Sequence, residues 1–200
     1  MIRPTATIEK FRSEKPVVIA ALGDSLTQGW MVRRGFLNFL REMLLRLYPY
    51  ASLTIINRGI PGDTADSGLY RLQRDILDAH PDCIFIQYAL NDAFQGYTTR
   101  QFKETIREII EKIQADGDAD IVLVTSVLMD NPGDYAYALT FYGQLEDLAA
   151  EYRLPVVRVH AYWRKKVEGQ DFGALVQSDL VHPTELGYRY MAEAIAELFR

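Results

Sequence analysis

Residues 17–26 read VVIAALGDSL. The apolar run from Val17 to Leu22 opens with three β-branched residues and shows no polar alternation. That is the signature of a strand covered on both faces, as in a parallel sheet. Gly23 ends the run, and Asp24-Ser25-Leu26 follow at once. A serine placed there stands at the carboxyl edge of a strand, with its own N–H at the start of a following turn or helix.

Outward from this segment, short apolar runs alternate with helical patterns. Further strands are expected at 53–56, 83–88, 121–125 and 155–159. Helices are expected at 36–47, about 65–79, 99–114, about 138–152, and from near Pro183 to Arg200, since proline suits a helix's first turn. In 36–47 the apolar residues Phe36, Leu37, Leu40, Leu44 and Leu47 recur at helical spacing. The repeating βα pattern predicts an α/β fold with a mostly parallel five-stranded sheet between helix layers, in a single domain over residues 1–200. In such folds the site lies at the carboxyl ends of the strands.

Composition narrows the function classes. The chain has 200 residues, with 22 Lys and Arg against 27 Asp and Glu, a formal net charge of −5. That balance, without any long basic run, argues against nucleic acid as a partner. Cys83 is the only cysteine and sits in an apolar run, so it reads as a buried hydrophobe and builds neither disulfide nor metal site. No apolar stretch is long enough to span a membrane. The opening residues lack the apolar core of a secretory leader, and a cytoplasmic location is expected. The expected partner is a small molecule. Oligomeric state is not legible.

Four polar islands fall at strand ends. Gly23-Asp24-Ser25-Leu26 offers a hydroxyl. Residues 57–64, NRGIPGDT, offer backbone N–H groups made approachable by Gly59 and Gly62. Asn91-Asp92 offers a neutral amide donor suited to a developing oxyanion. Ser178-Asp179-Leu180-Val181-His182-Pro183 places a carboxylate three residues before a histidine. A serine hydroxyl needs such a base, because it does not ionise near neutral pH. The first island alone reads equally as a turn or helix cap, and for residues 57–64 and Asn91-Asp92 alone an ordinary loop or turn is the favoured reading; together the four form a complete set for acyl transfer. Of the other histidines, His80 is expected on the surface at the opposite sheet edge. His160, after the fifth strand, is expected in a structural place.

The same residues resemble the GDSL, or SGNH, hydrolases, which include esterases, lipases, thioesterases and carbohydrate deacetylases. The blocks are Gly23 to Leu26, Asn57 to Thr64, Ala89-Leu90-Asn91-Asp92, and Asp179 to Pro183. The resemblance implies a three-layer α/β/α sandwich related to flavodoxin. It implies Ser25 as nucleophile, Asp179 and His182 as its base pair, and Ser25, Gly62 and Asn91 as the oxyanion hole. One departure is Ala89, where the family usually has glycine; the added methyl is expected to narrow the pocket or shift the strand end.

The expected reaction is hydrolysis of a carboxylic ester through an acyl-enzyme on Ser25, with no cofactor and no metal. A carbohydrate O-deacetylase or a thioesterase would use the same triad. A non-catalytic carbohydrate-binding domain is a remoter reading, opposed by the intact triad. The sequence leaves the substrate open, along with the question whether Trp30 and the segment from Met129 to Tyr142 line the pocket.

Overall fold

The computed structural model describes residues 2–168 and 171–200. Five strands form one parallel sheet: β1 (Val17–Gly23), β2 (Leu53–Gly59), β3 (Cys83–Gln87), β4 (Asp120–Val124) and β5 (Val156–Val157), in the order β2-β1-β3-β4-β5. The helices are α1 (Thr5–Arg12), α2 (Ser25–Gln28), α3 (Phe36–Leu47), α4 (Ala65–Asp75), α5 (Leu90–Phe94), α6 (Thr99–Asp116), α7 (Pro132–Tyr152), α8 (Val159–Lys166) and α9 (Glu185–Ala196).

The apolar runs explain the sheet. Ile19 to Leu22 and Cys83 to Ile86 have no solvent exposure, because β1 and β3 are central and helices cover both faces. Helices α3, α8 and α9 pack together on one side, and α4, α6 and α7 on the other. The amphipathic faces of α3 and α6 bury Phe36, Leu40 and Leu44, and Phe102, Ile106 and Ile110. This is the expected three-layer α/β/α sandwich.

Topology then places the site. The chain leaves β1 toward β2 on one side and passes back to β3 on the other, so the connections diverge between β1 and β3. Ligand crevices in open α/β sheets form outside the carboxyl ends at such a point. The register makes those ends level: Gly23 pairs with Gly59 on one side and with Gln87 on the other.

Several boundaries depart from expectation. The fifth strand has only two residues, and Val159 already opens α8, so His160 lies in the first turn of a helix. The missed signal is Val159 and Trp163, one turn apart and both fully buried. Helix α1 also went unexpected, although Ile8 and Phe11 carry its buried stripe. Helix α7 starts at Pro132, six residues early, because the Asn131 side chain caps it by accepting from the N–H groups of Gly133 (2.8 Å) and Asp134 (3.0 Å). The last helix ends at Ala196 and tightens into a 3-10 turn over Glu197–Phe199.

Candidate active site

Ser25 opens α2 directly after β1. Asp24 is the N-cap, and its Oδ1 accepts from Leu26 N–H at 2.8 Å. The cap turns the chain sharply enough to leave Ser25 at the sheet edge, 6% exposed. Its Oγ lies 2.9 Å from His182 Nε2. His182 Nδ1 in turn lies 2.7 Å from Asp179 Oδ2, which favours the tautomer with the proton on Nδ1. Asp179 Oδ1 accepts from the backbone N–H groups of Val181 (3.0 Å) and His182 (2.9 Å). Partial burial pushes the Asp179 carboxyl upward, but these donors and the imidazole outweigh it and hold it below its ordinary range.

The turn carrying this pair is tight. Leu180 sits at φ 60°, a left-handed conformation that folds His182 back over Asp179. Gln177, which no sequence motif marks, fixes the turn to the segment that follows Ser25. Its backbone N–H donates to His182 O at 2.7 Å, and its side-chain amide donates to Trp30 O and Pro183 O, both at 3.0 Å.

The loop after β2 carries Gly62 at φ +83°, where a side chain would be strained although nothing lies within 4 Å of its Cβ position. Gly59 is needed for a different reason: a Cβ there would lie 2.2 Å from Gln28 N, against the backbone of α2. Asn91, in the first turn of α5, donates through Nδ2 to Asp63 O at 2.8 Å. One turn later Gln95 donates to Gly62 O at 3.0 Å. Thus α5 holds the glycine loop at two points and keeps the Asn91 amide beside it.

Ala89 precedes this helix at φ +144° and is fully buried. The departure from glycine therefore falls on the backbone, as strain at the start of α5, rather than on pocket width.

Two carboxyls that the sequence reading left without a role are buried beneath the site. Asp92 Oδ1 accepts from Ala65 N–H at 2.9 Å and so anchors the start of α4. Asp24 Oδ2 and Asp92 Oδ2 find no partner in full hydrogen-bonding geometry among the described residues. Burial pushes Asp24 up to about 7, with the Asp92 charge adding to it and the Gln87 amide offsetting part. Burial likewise raises Asp92 to about 6.

His160 is not part of the constellation. Its Nδ1 lies 2.8 Å from Thr125 Oγ1, its ring stacks on Tyr142 at 4.9 Å, and burial lowers its pKa to about 4, so it stays neutral. His80 is exposed at the opposite edge, before β3. Trp30 borders the site, its ring 6.2 Å from that of His182. Of the 129–142 segment, Tyr142 is core and donates to Val127 O, whereas Tyr137 is exposed and packs edge-on against exposed Phe94 at 5.9 Å. Among the described residues no group of three or more His, Cys, Asp or Glu side chains is placed to hold a metal ion. No helix among them is long and apolar enough to cross a membrane.

A doubly wound sheet with a Ser-His-Asp series at its carboxyl edge defines an ester-cleaving hydrolase of the α/β/α sandwich class. Residues 21–190 match the model of the GDSL-like Lipase/Acylhydrolase family, and the chain belongs to that family. It is 28% identical to an arylesterase of Vibrio mimicus, over 92% of this chain and 88% of that protein. It is 25% identical to thioesterase 1/protease 1/lysophospholipase L1 of Escherichia coli K12, over 94% and 85%. The solved acetylxylan esterase of Geobacillus stearothermophilus shares the fold, with a TM-score of 0.82 at 19% identity, covering 92% of this chain and 94% of that one.

Proposed function

We propose that this hydrolase cleaves small carboxylic esters through an acyl-enzyme on Ser25. The observation that carries the reading is the unbroken hydrogen-bond series Ser25 Oγ, His182 Nε2, His182 Nδ1 and Asp179 Oδ2, at 2.9 and 2.7 Å. In this reading His182 takes the hydroxyl proton as Ser25 Oγ attacks the carbonyl carbon. Asp179 holds the tautomer and stabilises the imidazolium that forms. The oxyanion is met by the N–H groups of Ser25 and Gly62 and by the Asn91 amide, whose second N–H is left over from the bond to Asp63 O. Protonated His182 then passes its proton to the departing alcohol. Water, activated by the same imidazole, releases the acid and frees Ser25.

Trp30 beside His182 would flank the departing alcohol. Exposed Phe94 and Tyr137 form an apolar rim beside α5, where an acyl group would rest. These surfaces support a soluble ester, and they suit an acetylated sugar or a thioester through the same steps. A cytoplasmic location belongs to the proposal; cell fractionation tests it.

The test is hydrolysis of p-nitrophenyl esters from acetate to palmitate by wild type and Ser25→Ala. The variant is expected to lose about 10⁴–10⁶ in kcat, and the chain-length profile measures the acyl site. Persistent turnover in Ser25→Ala overturns the assignment. Absence of fluorophosphonate labelling at Ser25 would favour a non-catalytic binding domain instead.

A further inference from the structure

Arg71 lies on α4, outside the catalytic series, and its side chain is only 5% exposed. An internal guanidinium is costly unless it is fully paired. Arg71 Nε donates to Asp63 Oδ2 at 2.7 Å and Nη1 to Asp75 Oδ2 at 3.1 Å. Nη2 donates both to Gly23 O and to Tyr88 Oη, each at 3.1 Å.

The four partners divide into two kinds. Asp75 belongs to the same helix, one turn on, and balances the charge locally. The other three lie on three different segments. Gly23 ends β1, two residues before Ser25. Asp63 follows Gly62, and its carbonyl holds the Asn91 amide. Tyr88 follows β3, three residues before Asn91, and burial pushes its phenol upward, so it meets Arg71 as a neutral hydroxyl. One planar fork therefore ties together the segments that carry all three oxyanion donors. Lysine, with a single ammonium, lacks the geometry to serve these directions at once.

We propose that Arg71 is a positioning residue, which holds the Ser25, Gly62 and Asn91 segments in the mutual placement that oxyanion stabilisation needs. The proposal rests on the assignment of those donors made above. Arg71 touches no reacting atom. Its effect arises because oxyanion donors act only when preorganised, and a displacement of about 1 Å can cost on the order of 10² in rate.

The test compares Asp63→Ala and Arg71→Lys with wild type in the full chain, using p-nitrophenyl acetate and counting active sites by fluorophosphonate labelling. Asp63→Ala leaves the buried guanidinium paired with Asp75, so it reads the proposal even where Arg71→Lys does not fold. For Asp63→Ala, kcat per labelled site is expected to fall about ten- to hundredfold, with KM changed by less than about threefold. The acid limb of the pH profile should stay in place, because His182 and Asp179 are untouched. In an Asn91→Ala background the loss should shrink, since the two changes damage the same hole.

Unchanged kcat per labelled site, with only a lower melting temperature, would make Arg71 a purely structural ion pair and overturn the proposal. Full multiplication of the Asp63→Ala and Asn91→Ala losses would overturn it too. Turnover surviving Ser25→Ala, or kcat unchanged in Asn91→Ala, would instead overturn the underlying site assignment. With both of those controls reduced and Asp63→Ala unaffected, the role of Arg71 alone fails.

Discussion

The two edges of the sheet use aspartates in opposite ways. At the amino edge, Asp82 Oδ2 accepts from Val18 N–H at 2.7 Å, and Asp82 also pairs with Lys10. Asp120 Oδ2 accepts from both the N–H and the hydroxyl of Thr7, each at 2.7 Å. These carboxylates satisfy donors at the strand starts and pin α1 across them. At the carboxyl edge, Asp24 and Asp92 cap helix starts through one oxygen each, while the other oxygen is sealed in without a full partner. The amino edge is arranged to hold the chain together. The carboxyl edge tolerates raised carboxyls, a strained Ala89 and a left-handed Leu180, all within a few residues of Ser25, Asn91 and His182. Strain and incomplete pairing gather around the candidate site, where the proposed chemistry needs fixed geometry.

The contrast can be broken by substitution at either edge. Among these comparisons the largest effect is expected at the carboxyl edge: Asn91→Ala should lower kcat about 10²–10³-fold, while loss of its bond to Asp63 O costs only about 1 kcal/mol of unfolding free energy. Steady-state kinetics beside urea denaturation would read both. Thr7→Val, at the amino edge, should show the reverse. Loss of its hydroxyl from Asp120 and Asp82 O should cost about 1–3 kcal/mol of stability, with kcat per active site unchanged. A matching fall in kcat would mean that the two edges are not separable.

Asp24→Asn tests the raised carboxyl. The native group keeps its proton up to about 7, whereas an ordinary aspartate loses it near 3.8. The native state thus binds the extra proton between those values. The stability contributed by the carboxyl is complete below the lower value and is lost as pH rises through the upper one. Asparagine keeps the cap to Leu26 and has no such loss. Urea curves at about pH 5 and pH 8 should show the variant gaining on wild type at the higher pH; parallel behaviour would mean that Asp24 is not raised. The smallest effect is expected for Ala89→Gly. Relief of the φ +144° conformation should exceed the added chain entropy and stabilise the protein by about 1 kcal/mol, read as a rise in melting temperature.

The sequence by itself determined the fold class and pointed to the residues proposed for the site. Uninterrupted apolar runs such as Val17 to Leu22 mark buried parallel strands, and a parallel sheet places its site at strand ends. The four blocks by themselves single out Ser25, Asn91, Asp179 and His182 as a set suited to acyl transfer, and the resemblance to the GDSL family adds Gly62 in preference to Gly59. Elements set by a few contacts were less legible. The fifth strand was shorter than expected and α8 opened at Val159, where Trp163 finds a buried place against Gly187 of α9, a partner 24 residues on. Only the tertiary structure decided the support of the site: Gln177 bridging to Trp30, Gln95 holding Gly62, and Arg71 joining three segments. Polar residues of these kinds are ordinarily solvated, so no periodicity marks them. Their roles arise only when separate segments bury them together and each donor must find an acceptor.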